Sequence, residues 1–215
     1  MREDKNNKTP NIFSGFLCFY IEYFNKLIVG VRIMVLKKGI SNTKFVVTVG
    51  IFSAISFVLQ MIGSLMGIKV GGFLEIEISD LPPLILSLAY GPFVGIFVEL
   101  IKNFLHCFVT TTGFVGEFAN FVINGMLCGV AGFVYKFKRT YKGAILSLIT
   151  GVIVMTLAGA LVNFFVMLPL YMPNADFSTK FSIVTSLIMP FNLARGTVLS
   201  IITVLLYKRI SKAIK

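Results

Sequence analysis

The sequence predicts an all-α integral membrane protein, a bundle of six transmembrane helices in which the second helix is short. Of the 215 residues, 56% are hydrophobic and only 13% are charged, and the mean hydropathy is +0.89. Soluble domains are about 45–50% apolar and about 25% charged. Apolar runs of spanning length recur along the chain, and clusters of Lys and Arg separate them. Such a composition requires lipid rather than water around the fold.

Six apolar segments are candidates for the spans, because a spanning helix needs roughly 17–25 mostly apolar residues. They lie at about 44–62, 81–90, 92–110, 115–135, 143–168 and 183–207. The second segment is too short to cross as a straight helix, and prolines and Gly91 bound it on both sides. We expect a short or tilted helix that begins after Asp80 as its N-cap, with prolines in its first turn, and that joins tightly to the third.

The distribution of Lys and Arg predicts the orientation of the bundle. With six spans, three basic clusters fall on one side, which the positive-inside rule makes cytoplasmic. The other side receives most of the acidic residues that lie between spans. We therefore expect a multi-pass protein of the cell membrane, with its N- and C-termini in the cytoplasm and residues 208–215 as a basic cytoplasmic tail. The clusters are Lys37, Lys38 and Lys44; Lys136, Lys138, Arg139 and Lys142; and Lys208, Arg209, Lys212 and Lys215.

Residues 1–43 precede the first span as a basic, amphipathic extension. Residues 12–31 carry an apolar stripe at helical spacing, and polar residues such as Glu22 interrupt the other face. A seventh span would move the basic N-terminus to the outside, so an amphipathic helix at the membrane surface fits better. A second hypothesis is that translation begins at Met34 and that the preceding residues are not part of the working protein. Both hypotheses stay open.

The composition and motifs exclude several function classes. The net charge of +11 is concentrated between the spans, as topology signals are, which argues against a nucleic-acid partner. The chain has no GxxxxGK[ST] phosphate loop, HExxH or GxSxG motif. Its one histidine, His106, cannot build a metal site alone, and its three cysteines have no CxxC spacing. We therefore expect neither an enzyme nor a metalloprotein.

Polar residues inside the predicted spans are the strongest functional signal in the sequence. A charge in hydrocarbon costs at least a few kcal/mol, so such residues normally face a cavity, a partner or a ligand. The carboxamides among them add groups that both donate and accept hydrogen bonds. The charged residues are Glu99, Lys102, Glu117 and Arg195, and the carboxamides are Asn103, Asn120, Asn124, Asn163 and Asn192.

The polar residues have a structural and a functional interpretation. Glu99 and Lys102 are three residues apart on one helix, so they can neutralise each other without a ligand. Arg195 has no carboxylate on its own helix, and polar contacts between spanning helices contribute only about 0.6 kcal/mol on average. For Asn163, Asn192 and Arg195 we therefore favour a ligand. Two carboxamides and a guanidinium suit a flat, neutral, carbonyl-rich heterocycle with an imide edge.

The segment "VGIFSAIS", residues 49–56, places Gly50 and Ala54 four residues apart on the first span. Small residues at this spacing let two membrane helices approach closely. The close approach could occur inside this bundle or against another membrane protein, and the spacing alone leaves both alternatives open.

Four motifs together resemble the riboflavin-specific S component (RibU type) of energy-coupling-factor (ECF) vitamin transporters. The resemblance covers roughly residues 44–207, in the family's order and at compatible spacing. The motifs are "FLEIEISDLPPLILSLAYGPFVGIFVELIKNFLH" (73–106), "GEFANFVING" (116–125), "NFFVMLPLY" (163–171) and "PFNLARG" (190–196).

The resemblance implies a membrane protein of the bacterial cell that binds riboflavin from outside, as a transported ligand and not as a cofactor. It implies delivery inward with an ATP-driven ECF module, made of a transmembrane coupling protein and two ATPases. That dependence agrees with the missing phosphate loop. Two alternatives remain: an S component for another small vitamin or precursor, and a structural or assembly protein whose polar residues only pair with each other.

The resemblance also assigns residues. Asn163 of the NxxxxLP motif, with Asn192 and Arg195 of the PFNxxKG motif, would contact the polar edge of the isoalloxazine ring. The family usually has lysine where this chain has Arg195; a guanidinium still donates to a carbonyl but is larger and planar. The loop at about 65–80, around Gly71 and Gly72, would be the lid over the ligand.

Other residues receive weaker or different roles. Polar residues at the outer ends of the third and fourth spans are candidates for binding the ribityl hydroxyls: His106, Glu117 and Asn120. The small-residue motif of the first helix meets the coupling protein in this family, and Gly50 and Ala54 occupy it here. Membrane lipid would surround the remaining surface.

Overall fold

A computed structural model describes residues 42–66, 69–70, 74–75, 78–110 and 114–213, together with Glu22. Those residues form six helices and one short hairpin. The helices are α1 (Asn42–Met66), α2 (Leu81–Tyr90), α3 (Pro92–His106), α4 (Val115–Phe137), α5 (Tyr141–Tyr171) and α6 (Phe177–Ile183, Val184–Ile188 and Met189–Ala213). The predicted surface helix at 12–31, the proposed start at Met34 and the lid glycines Gly71 and Gly72 lie outside the described residues.

The six-helix bundle with a short second helix is confirmed. Within the described ranges, four helices are long and apolar enough to cross a membrane. Helix α2 has 10 residues and α3 has 15, so they extend only about 15 and 22 Å, less than the roughly 30 Å hydrocarbon core. The four long segments are Thr43–Leu65, Val115–Phe137, Tyr141–Tyr171 and Phe177–Leu206.

Two predicted boundaries are wrong. The third span was expected to reach residue 110, but α3 ends at His106 and a turn follows. The sixth was expected at 183–207, but α6 begins at Phe177, where Asp176 caps it by accepting a hydrogen bond from the Thr179 backbone N–H at 3.3 Å. The first turns of α6, before residue 183, are mostly exposed and partly polar, so an apolar run does not mark them.

The core lies between α2, α4, α5 and α6. Leu84, Leu127, Leu148, Met155 and Leu199 belong to one buried cluster to which all four helices contribute. Helix α1 lies to one side and packs on α2 and α3 through a second cluster of buried side chains. That cluster consists of Phe45, Val49, Leu86, Val94 and Val98.

A tight corner joins α2 to α3. Gly91 has φ 118°, a conformation that is open to glycine and strained for other residues. The Ser87 side chain packs closely against Gly95 of α3 and Gly132 of α4. A Cβ added to either glycine would come within 2.5 Å of it. The Ser87 hydroxyl donates to the carbonyl of Cys128 on α4. The corner therefore holds two short helices against a long one.

We expect Gly91→Ala to lower the free energy of unfolding by about 1–3 kcal/mol, because alanine would occupy a strained backbone conformation at the corner. Thermal unfolding of the purified protein in detergent measures the change. Gly50→Ala is the matched control, since a Cβ there meets no atom within 4 Å. Equal melting temperatures for the two variants would contradict the prediction.

A two-stranded antiparallel hairpin lies between α1 and α2. Strands β1 (Lys69–Val70) and β2 (Leu74–Glu75) pair in the register Lys69 with Glu75 and Val70 with Leu74. The hairpin falls within the range 65–80 that was expected to form a lid. It returns the chain to Ser79 and Asp80, from which α2 begins.

Helices α5 and α6 each contain one π-helical turn. The turns are Asn163–Met167 and Val184–Ile188, and each ends two residues before a proline, Pro169 and Pro190. Proline donates no backbone hydrogen bond, and its ring crowds the carbonyl four residues earlier. A turn widened by one residue accommodates that crowding, and such turns are frequent at functional sites. The two π-turns contact each other.

Gly50 and Ala54 lie on an exposed face of α1. No atom lies within 4 Å of a Cβ added to Gly50, and Ala54 is exposed. Among the described residues, these two small residues therefore do not pack inside the bundle, which contradicts that alternative. The face continues through other exposed residues, among them Ile51, Ile55 and Val58.

Candidate functional site

Two buried asparagines meet at one glycine of α5. Asn163 is 3% exposed and its Nδ2 donates to the Gly159 carbonyl at 2.8 Å. Asn192 of α6 is 2% exposed, and its Nδ2 donates to the Ile188 carbonyl at 2.9 Å. A Cβ on Gly159 would lie 2.7 Å from the Asn192 Nδ2. Because Gly159 has no side chain, both carboxamides can contact the α5 backbone at this residue. We call Asn163 and Asn192 the asparagine pair.

Four charged side chains from α3, α6 and the start of α2 form a buried charge cluster (Asp80, Glu99, Lys102 and Arg195). The Lys102 ammonium lies 2.5 Å from Asp80 Oδ1 and 2.8 Å from Glu99 Oε2. Arg195 Nη2 lies 2.5 Å from Asp80 Oδ2. The side chains of the first three are fully buried, and that of Arg195 is 12% exposed. Two acids and two bases make the cluster formally neutral.

The charge cluster changes two expectations. Asp80 occupies the N-cap position of α2, as predicted, but its carboxylate makes no capping hydrogen bond; it binds Lys102 and Arg195 instead. The absence of a carboxylate on α6 near Arg195 was one reason to predict that Arg195 binds a ligand. In the structure, Asp80 at the start of α2 supplies that carboxylate. The expected pair of Glu99 with Lys102 is present. A partner for Arg195 in the protein therefore removes one argument for its ligand role.

A third set of polar residues joins the ends of α1, α3 and α4. His106 Nδ1 lies 3.0 Å from Glu117 Oε1, and Gln60 Nε2 donates to Glu117 Oε2 at 3.1 Å. Ser64 Oγ lies 3.4 Å from His106 Nε2. We call Gln60, Ser64, His106 and Glu117 the polar end cluster. It brings together two of the three residues that were expected to bind the ribityl chain.

The third of those residues, Asn120, lies one turn further along α4. Its Oδ1 accepts a hydrogen bond from the Asn124 Nδ2. Asn120 is half-buried, whereas Asn124 is fully buried. The α4 asparagines thus extend a line of polar groups from Glu117 into the bundle.

Several buried oxygens have no hydrogen-bond partner among the described residues. They include Gln60 Oε1, Asn103 Oδ1 and Asn124 Oδ1, on α1, α3 and α4 respectively. Buried polar atoms are nearly always hydrogen-bonded, so each such exception indicates a missing partner. All three are acceptors, and the partner that would satisfy them must donate, as a hydroxyl does.

Gln60 and Asp80 are the residues that sequence reasoning missed. Gln60 was a visible signal, because it is a polar residue inside an otherwise apolar first span. Asp80 was interpreted only as a helix cap. Its ion pairs with α3 and α6 join segments far apart in the chain, and no local pattern marks them.

The apolar helices of spanning length and the buried polar groups between them define a multi-pass membrane protein with an internal polar site. A family model described as "ECF transporter, substrate-specific component" matches residues 44–207. The chain belongs to this family. It is therefore the substrate-specific subunit of a transporter and not an enzyme.

Individual relatives agree with this assignment. The chain is 37% identical over 183 residues to "Riboflavin transporter RibU" of Staphylococcus aureus (strain TCH60), covering 83% of this chain and 96% of that protein. It is 32% identical over 175 residues to "Riboflavin transporter FmnP" of Bacillus subtilis (strain 168), covering 77% and 91%. A solved structure described as "Structure and mechanism of the S component of a bacterial ECF transporter" matches with a TM-score of 0.70 and 36% identity. That match covers 81% of this chain and 99% of the other.

Proposed function

We propose that this chain binds riboflavin between its helices and delivers it across the bacterial cell membrane together with an ECF module. The asparagine pair carries the proposal, because it places two buried carboxamides together beside widened helical turns. The riboflavin transporters among its relatives support the choice of ligand. Riboflavin is the cargo in this proposal, and the chain needs no cofactor of its own.

The ring edge of the ligand lies at Asn163, Asn192 and Arg195 in our proposal. The isoalloxazine edge presents carbonyl oxygens and an imide N–H, which match the mixed donors and acceptors of two carboxamides. Arg195 contributes donors only, and Asp80 fixes its orientation through one guanidinium nitrogen. A guanidinium has five N–H donors and can bind more than one acceptor at a time.

The ribityl chain extends towards the polar end cluster and the asparagines of α4. His106, Glu117 and Asn120 remain the proposed contacts for its hydroxyls. The unpartnered oxygens of Gln60 and Asn124 support this direction, because a sugar alcohol supplies the O–H donors that they need. Riboflavin would thus satisfy polar groups at both the deep and the terminal part of the site.

The remaining roles follow from the topology. By the positive-inside rule, the basic clusters favour a cytoplasmic location for both termini, with the polar end cluster towards the outside. The hairpin β1–β2, with Gly71 and Gly72 between its strands, would close over the bound ligand from that side. The exposed face of α1 at Gly50 and Ala54 would contact the transmembrane coupling protein of the module, which two ATPases drive.

Purification from riboflavin-supplied cells tests the proposal directly. The protein in detergent should carry about one flavin, visible as yellow absorption with quenched flavin fluorescence. A colourless protein that also fails to bind added riboflavin would overturn the proposal in favour of another small vitamin. Absence of any ligand, with thermal stability unaffected by the whole set of vitamins, would favour a structural or assembly role.

We expect Ala54→Leu to reduce riboflavin uptake strongly while leaving riboflavin binding unchanged. A larger side chain on the exposed small-residue face would block close helix approach without touching the ligand site. Uptake into cells and flavin content of the purified variant measure the two quantities separately. Val198→Leu, on α6 and 51% exposed, is the control for added bulk away from the proposed interface. Normal uptake by Ala54→Leu would contradict the proposed interface.

A further inference from the structure

A groove runs between α5 and α6 in the half of the bundle that ends with the basic clusters. Its volume is about 420 Å³. Apart from Thr197 and Ser200, apolar side chains line it. We define this α5–α6 groove by residues on its two walls: Ile145, Ile149 and Ile153 on α5, and Leu193, Ile201 and Leu205 on α6.

The length of the groove matches one leaflet of a bilayer. From Leu193 to Leu205 the groove extends about 18 Å along α6, at 1.5 Å per residue. Half of a hydrocarbon core is about 15 Å thick. Several groove residues are half exposed, and Ile149 is 52% exposed. The groove is therefore open to lipid along its length and is long enough to hold one acyl chain.

Positive charge lies at the end of the groove where a lipid headgroup would be. Lys142 is exposed and precedes Ile145 and Ile149 by three and seven residues, so it continues their face of α5. The loop before α5 adds the exposed Lys138 and Arg139. In the sequence, Lys208 and Arg209 follow Leu205 within four residues.

No negative charge offsets these cations in the adjoining sequence. From residue 118 to residue 215, the sequence contains a single acidic residue, Asp176, at the other end of α6. Basic residues that flank a cleft between membrane helices attract anionic lipid headgroups. We propose that the α5–α6 groove is a binding site for an anionic phospholipid, with one acyl chain between the helices and the phosphate near Lys142. This site lies on α5 and α6, whereas the proposed coupling face lies on α1.

The absence of tryptophan from the sequence allows a direct test. Ile149→Trp places a single fluorophore in the groove, and Ile51→Trp places one on α1. Ile149 and Ile51 are each 52% exposed, and each follows a lysine by seven residues, Lys142 and Lys44. The two full-length variants are reconstituted in nanodiscs that contain brominated phosphatidylglycerol or brominated phosphatidylcholine. Unchanged riboflavin content confirms that each variant is folded.

The measurement is the quenching of tryptophan fluorescence by each brominated lipid. At Ile149→Trp we expect it to show a preference for phosphatidylglycerol over phosphatidylcholine of at least about fivefold, the effect of one lysine near a headgroup. The preference at Ile51→Trp should be severalfold smaller, because an exposed helix face does not retain the acyl chain. Lys142→Gln should lower the preference at Ile149→Trp severalfold, and Lys44→Gln should leave it unchanged. Leu205→Trp, on the other wall, repeats the test if Ile149→Trp does not fold.

Three results would overturn the proposal. Equal preferences at Ile149→Trp and Ile51→Trp would show that only the general surface charge attracts the lipid. A preference unaffected by Lys142→Gln would remove the headgroup contact. Protection of Ile149→Trp from both brominated lipids would show that another protein segment, such as a second copy of this chain, covers the groove.

Discussion

Asp80→Ala is expected to lower the free energy of unfolding by about 3–5 kcal/mol, the largest stability loss that we predict for one substitution. The carboxylate binds Lys102 through one oxygen and Arg195 through the other, and it is fully buried. Its removal leaves Glu99, which pairs with Lys102, as the remaining acid of the charge cluster against two cations. Breaking a buried ion pair by removing one partner typically has a cost of this size.

Thermal unfolding in detergent, with and without riboflavin, measures the loss. Asp176→Ala is the matched control, because both aspartates occupy the N-cap position of a helix. Asp176 is exposed, and hydrogen bonds from Thr179 hold its pKa below the usual value. Its replacement should affect only the first turn of α6. If the two substitutions had equal effects, Asp80 would act as a cap rather than as the centre of the charge cluster.

Asn192→Ala is expected to weaken riboflavin binding by about tenfold to a hundredfold. The substitution removes a buried carboxamide from the proposed ring-edge contact and leaves the ligand's polar atoms without a partner. A buried unsatisfied group costs about 1–3 kcal/mol, roughly fivefold to 150-fold in affinity, and the expected loss lies within that range. Quenching of flavin fluorescence on titration with the apoprotein measures the affinity. Leu193→Ala, one residue further on and 51% exposed, is the control.

Gly159→Ala tests the same site while leaving both asparagines in the sequence. The added methyl group would lie 2.7 Å from the Asn192 Nδ2, so that side chain must move. We expect a loss of affinity similar in direction to that of Asn192→Ala, with Gly50→Ala unchanged. Normal affinity in Gly159→Ala together with reduced affinity in Asn192→Ala would mean that Asn192 acts independently of its position against α5.

The sequence predicted the helices because lipid makes span length and composition directly visible in the order of residues. Apolar runs marked α1, α4 and α5 to within a few residues, and Gly91 with its flanking prolines marked α2. The start of α6 was missed because Phe177–Ile183 is a capped, partly polar segment whose helical state depends on Asp176 and not on burial. The start of α6 is therefore set by the capping hydrogen bond of Asp176, which a hydropathy profile does not detect.

The residues proposed for the site can be chosen from the sequence, but their contacts with one another cannot. Asn163, Asn192 and Arg195 stand out as candidates because polar side chains are costly within apolar segments in lipid. Their partners come from other helices: Asp80 meets Arg195 across 115 positions of the chain. Such a pairing depends on how helices pack, and one sequence contains no direct record of it. Gln60 needed the same information, because its partner Glu117 lies on α4.

The π-turn at Val184–Ile188 makes the direction of the α6 side chains depend on one additional residue. An α-helix has 3.6 residues per turn, so deleting a residue there would rotate the rest of α6 by about 100° relative to Phe177–Ile183. Asn192 and Arg195 would then face away from α5 and Asp80, although no residue of the site had changed. In this chain, a length change within the membrane would remove the contacts of the candidate site as completely as replacing its residues.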